Sequence, residues 1–329
     1  MIKWIFDNSL GNFIILCFLI IGLRTGMFYC HSHAISPISQ VGFLSKYTNY
    51  INLFPFLAFV ITTILVLFKG IMINRMVLNY NILDKPGYSV FLFYILLNSA
   101  FSSNLTLNNV NVAEIFFLFG IVMIYKFLKI NYSKNDLFIS AMLFGLSAMC
   151  IPEFYWSIIL LITCVVIFKP VKVSDIIVII SGMFMPYYLM ASLSFLISNE
   201  LQFFNVWEFW IVLFKEVKFD WHKNGMDLIF IGITLIYGLF GLARFFGTFY
   251  RTNVETRRSK MAMAMISVFA TFVFVYRSTQ YEEYFSLFTI PLSMILPAIF
   301  EDKRNKFWKE AFLILWFVLL LMSMFKIFN

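Results

Sequence analysis

The chain has 329 residues, of which 61% are hydrophobic, 20% aromatic and only 13% charged, with a net charge of +8. A soluble domain carries about 25% charged residues, so this sequence lacks the polar surface to cover its apolar side chains in water. The apolar runs are continuous, which excludes a β-barrel with its alternating strands and leaves helices, which satisfy their own backbone groups in lipid. The basic excess lies between apolar runs and forms no continuous footprint, so a nucleic-acid partner is not expected.

The first apolar run, 9–29, follows Met-Ile-Lys-Trp and meets Arg24 and Tyr29 where a signal peptide has a small-residue cleavage site. It reads as an uncleaved first span. Further helices are predicted at 53–73, 88–102, 110–126, 137–151, 154–169, 176–198, 227–244, 261–276, 284–300 and 308–328. The expected fold is all-α, a single transmembrane helical domain over 1–329 with about eleven spans. The helices at 88–102, 137–151 and 154–169 are short for a bilayer, and Pro152-Glu153 predicts a tight hairpin between the last two. Residues 201–214 read as an interfacial amphipathic helix, and Trp207, Trp210 and Trp221 as an aromatic belt.

Charge alternates along this map. One face collects Lys69, Arg75 and Lys85, then Lys126, Lys129 and Lys134, then Arg251, Arg257, Arg258 and Lys260. The other holds only Arg24, Lys46, Lys215, Lys218, Lys223, Arg277 and Lys326. The positive-inside rule then puts the N-terminus in the cytoplasm and the C-terminus on the opposite, periplasmic face of a bacterial inner membrane. The basic loop 251–260 reads as a topology anchor against anionic lipid headgroups.

Polar groups converge on the outer face. Glu114 and Glu153 begin apolar helices, where an acid is costly to bury and is a functional candidate by default. Glu114 equally suits a structural place at a helix N-terminus. Arg277, Gln280 and Glu282 share a short loop and offer phosphate- or sugar-binding groups, or an internal ion pair. Arg24 offers a second cation for a phosphate, or snorkels to the interface. His31 and His33 read as a solvated loop, and Cys17, Cys30, Cys150 and Cys164 have no metal-ligand spacing, so no metal is expected. No cofactor motif occurs, and a P-loop is absent.

Residues 88–170 resemble the middle of C-type integral-membrane glycosyltransferases. The likeness lies in the polar Asn98-Ser-Ala-Phe-Ser-Ser-Asn stretch, the helix ending Lys126-Phe-Leu-Lys129, the Phe138-to-Met149 helix with Gly145, and Pro152-Glu-Phe-Tyr. The tail Tyr281-Glu-Glu-Tyr-Phe-Ser-Leu-Phe-Thr-Ile-Pro291 is similar to the segment that precedes a Pro-ended apolar helix in those enzymes. The chain also resembles an uncharacterised family of Bacteroidota inner-membrane proteins. The first resemblance implies a polyprenyl-phosphate-linked substrate at the outer face. It also implies a carboxylate base (Glu114 or Glu153) and a phosphate held by Arg277 and Arg24. In that family the acid stands in the first outer loop, whereas residues 25–52 here contain none. That departure gives weight to a non-catalytic alternative, a membrane scaffold or partner subunit of an envelope or secretion complex. A transporter would bring internal repeats, and none is visible. Membrane lipids are the one partner expected on either view.

Overall fold

The structure is a computed structural model that describes residues 10–31, 44–83, 87–129, 132–168, 170–198, 225–247, 249, 252–277, 281–301 and 306–325. Every regular element among them is helical. In chain order these are α1 (Leu10–His31), α2 (Ser45–Asn52), α3 (Pro55–Asn79), α4 (Ser89–Asn98), α5 (Asn109–Lys129), α6 (Lys134–Cys150) and α7 (Ser157–Phe168). They continue with α8 (Val173–Ser198), α9 (Gly225–Gly247), α10 (Val254–Tyr276), α11 (Tyr281–Ile295), α12 (Pro297–Glu301) and α13 (Lys306–Phe325). Tight 3-10 turns occupy Ser102–Leu105 and Pro152–Trp156.

Among the described residues, 7 helices are long and apolar enough to cross a membrane by length and composition. They fall in α1, α3, α5, α8, α9, α10 and the stretch Glu282–Phe300. The chain is therefore an all-α protein of membrane type.

Several boundaries differ from those the sequence predicts, and the local chemistry explains them. Pro55 starts α3 at a position where its missing N–H costs nothing. The helix runs on to Asn79, beyond the predicted end at 73, and Lys69, counted above with the basic face, is fully buried within it. It closes where Asn81 takes a left-handed φ of 49° and Ile82 N–H donates to the Val77 carbonyl at 3.1 Å. α10 starts at Val254, so Arg257, Arg258 and Lys260 of the basic loop stand on its first turns. α2 falls where the sequence predicts an outer loop. The stretch 102–109 is not a solvated loop either: Asn104, Asn108 and Asn109 are buried. Irregular backbone at such depth survives only when protein covers it or it lines a cavity. Here α2 helps cover it, as Asn52 donates to the Leu107 carbonyl at 2.9 Å and accepts from Leu107 N–H at 3.0 Å.

α5, α6 and α8 pack most intimately. Ser140 and Ser147 of α6 donate to the carbonyls of Gly120 and Ala113 on α5, each at 2.9 Å. Small residues let α6 and α8 close up, as helix pairs in lipid require. A Cβ on Gly145 would overlap the Met183 carbonyl oxygen, and one on Gly182 would lie 2.8 Å from the Phe138 carbonyl oxygen. Backbone cannot rotate away as a side chain can. Gly145→Ala is expected to cost about 1–3 kcal/mol by overpacking, measured by unfolding in mixed micelles. Gly22→Ala, where nothing lies within 4 Å, is the control; an equal loss there would mean that helix contact is not the cause.

Candidate functional site

Two interruptions of the helical ladder organise the polar groups. The first lies between α4 and α5. α4 is 10 residues long, about 15 Å at the usual rise, too short to cross. Its end at Asn98 leads into Ser99, the 102–105 turn and the start of α5. There Asn108 caps the helix, its Oδ1 accepting from Asn111 N–H at 2.7 Å. Glu114 therefore does not occupy the capping position that its sequence context allows; no acid stands in the first turn of α5.

Glu114 is engaged inside the protein. Lys69 Nζ of α3 lies 2.5 Å from its Oε2, and the Ser286 hydroxyl of α11 donates to its Oε1. Lys69 also donates to Asn111 Oδ1 at 3.0 Å. Both charged side chains are 0% exposed. Burying either charge alone in lipid is expensive, and the pairing with two further hydrogen bonds makes the burial tenable.

Arg24 of α1 is also fully buried, so it does not snorkel. Its Nε donates to Thr63 Oγ1 at 3.2 Å, one terminal nitrogen to Ser99 Oγ at 3.4 Å and the other to the Asn104 carbonyl at 2.8 Å. All three acceptors are neutral. The carbonyl end of α4 adds a partial negative charge nearby, of roughly half a unit. Among the described residues no carboxylate pairs with Arg24. Tyr94 of α4, one turn before Asn98, is also fully buried.

The second interruption is Pro152–Trp156, between α6 and α7. Glu153 is buried there. Arg277, just past the end of α10, donates through Nε to Glu153 Oε1 at 2.5 Å, and Tyr284 of α11 donates to Oε2 at 3.2 Å. The expected hairpin acid and the expected loop cation are thus partners across the fold. Burial works against the charge on Arg277, but Glu153, with Tyr284 and Tyr276, more than offsets it and holds the guanidinium above its ordinary pKa. The Arg277 side chain remains 21% exposed, so a ligand can reach it.

α11 ties the two interruptions together, since Tyr284 serves Glu153 and Ser286 serves Glu114. Between them Glu283 is buried, with Oε1 lacking a hydrogen-bond partner. Glu282 lies on the first turn of α11, next to Glu283. Gln280, His33, the 201–214 segment and the tryptophans 207, 210 and 221 lie outside the described residues, as does the His31 side chain. Among the described residues no group of three His, Cys, Asp or Glu side chains could hold a metal ion.

Lys69, Tyr94, Asn98, Asn111, Tyr284 and Ser286 do not stand out as site residues in the sequence. Lys69 carries a usable sign, a lone cation within an apolar run. The serine and the asparagines carry none. No family model, curated protein or solved structure matches the chain. The function of the site therefore rests on its own chemistry.

Proposed function

We propose that this chain is a bacterial inner-membrane protein that binds a polyprenyl-phosphate-linked substrate at its outer face. Its arrangement would be like that of C-type glycosyltransferases, with about eleven spans and a cytoplasmic N-terminus. The observation that carries this reading is the pairing of two helix interruptions, each with a buried carboxylate bound to a cation, through α11. Discontinuous helices with ionisable groups at their ends recur where membrane proteins hold polar substrates. Arg277 is the reachable cation, and its planar fork matches a phosphate group. A phosphate that takes Arg277 would release Glu153 Oε1, which could then accept a proton from an acceptor hydroxyl.

A specific observation favours a second, non-catalytic reading. Both oxygens of Glu114 and both of Glu153 are already engaged. A base has to present a lone pair to the acceptor hydroxyl, and the donors already seated on each oxygen crowd that approach. On this reading the protein holds its lipid, or a partner subunit, without transferring anything.

Native mass spectrometry of protein extracted gently from its own membrane separates lipid binding from a scaffold that holds only a partner subunit. A bound polyprenyl-phosphate species that is lost in Arg277→Met is the expected result. Lipid-free protein arriving with a stoichiometric protein partner would leave the scaffold reading in place.

A further inference from the structure

We infer that Arg24 belongs to a buried binding site for a phosphate-type oxyanion with a single negative charge, formed where α1, α3 and α4 meet the interruption before α5. The charge count is the first ground. Lys69 and Glu114 cancel one another, whereas Arg24, fully buried, has only neutral acceptors among the described residues. The carbonyl end of α4 offsets only part of the remainder. An uncompensated charge at this depth is too costly to keep, so one negative charge is missing from the inventory.

The second ground is the set of polar atoms left without partners. A guanidinium has five N–H donors, and Arg24 uses three. Asn98 Nδ2, beside the Ser99 that accepts from Arg24, and Tyr94 Oη, one turn earlier on α4, are buried with no hydrogen-bond partner. Native proteins leave few such groups, and these stand on the end of α4 that meets Arg24. Asn98 adjoins Ser99, which binds Arg24. The Asn98 carbonyl accepts from Asn104 Nδ2 at 2.9 Å, and the carbonyl of Asn104 binds Arg24.

The third ground selects the chemistry. Unpartnered acceptors, Asn98 Oδ1 and Asn104 Oδ1, accompany the donors. A halide would leave these acceptors unused. A dihydrogen phosphate, or a phosphomonoester that keeps one proton, serves both kinds of group with a single negative charge, and the arginine fork favours planar bidentate contact with two oxygens. The choice of phosphate rests on the function proposed above; the need for an anion does not.

The test uses the full chain purified in neutral detergent. Its thermal unfolding is followed while sodium phosphate is raised at constant ionic strength, and separately while a polyprenyl monophosphate is added to the micelles. A ligand that binds only the folded state raises the midpoint saturably. Saturation with inorganic phosphate identifies the free ion as sufficient; a response to the lipid alone identifies a headgroup. In Asn98→Leu the apparent affinity should fall by about tenfold, the loss of one hydrogen bond to a charged ligand. That variant breaks none of the Arg24 contacts, so it folds even where Arg24→Gln does not. A purely structural Asn98 predicts the opposite, because removing an unsatisfied buried amide is neutral or stabilising.

No saturable response to either probe, or a response unchanged in Asn98→Leu, overturns the site. Arg277→Met should keep the response to inorganic phosphate. If it does while the extracted protein carries no polyprenyl lipid, this site stands and the proposed function fails. An Arg277-dependent lipid with no Asn98-dependent response sustains the proposed function and removes this site.

Discussion

Lys69→Met with Glu114 left in place should lower stability by about 3–5 kcal/mol, the cost of stranding one member of a buried ion pair. Glu114 would keep its contact with Ser286 but lose the cation at 2.5 Å from Oε2. Glu114→Gln should lose a similar amount, because Lys69 would keep only neutral acceptors, Asn111 and the new amide oxygen. The double variant should regain most of either loss, since removing both charges also removes their desolvation penalty. The measurement is a double-mutant cycle by reversible unfolding in mixed micelles. Purely additive single effects would mean that the two groups do not interact, and would remove the link between α3 and α5 on which the site rests.

Phe117→Ala should cost about 3 kcal/mol, the lower end of the range for a buried phenylalanine. Phe117 lies one turn beyond Glu114, where α5, α6, α10 and the Pro152–Trp156 turn meet. Its ring centroid is 5.2 Å from that of Phe144, 5.1 Å from Phe154 and 5.4 Å from Phe269. The lower end applies because the unfolded side chain in a micelle stays in apolar surroundings. Little transfer energy is then lost, and the cavity and missing contacts supply the effect. Phe119→Ala, at a ring 37% exposed, should cost less than about 1 kcal/mol. Equal losses at the two positions would show that this junction is not close-packed.

The helices are legible in the sequence because their cause is local: long apolar runs, and Pro55 at the head of α3. Glu153 and Arg277 can each be nominated, because an acid or a cation at the edge of an apolar helix stands out. Their partnership spans 124 residues and exists only after folding. The Asn-rich stretch after α4 reads as an exposed loop and is buried, for a physical reason. Asparagine suits a solvated loop and a buried hydrogen-bond network equally, and composition cannot tell them apart. Lys69 falls inside the predicted helix 53–73 but counts with the basic face because its apolar run ends soon after it; Asn81, further along, sets the true end of the helix. Arg24 has the length to reach the interface, and only the packing of α3 and the 99–104 segment around it keeps it inside.

The Lys69–Glu114 pair also sets conditions on how the chain is made. The two residues are 45 positions apart, so α3 is synthesised, and offered to the membrane, before the ribosome has built its counter-charge. For that interval α3 has to enter lipid on the strength of its apolar residues alone, against about 3 kcal/mol for one lysine at mid-helix. Arg24 waits longer, since its carbonyl acceptor lies 80 positions downstream. A chain stopped before α5 would hold Lys69 in the bilayer without its counter-charge, a form that membrane quality control can recognise. Arrival of α5 is thus the step at which a growing chain becomes a molecule worth keeping.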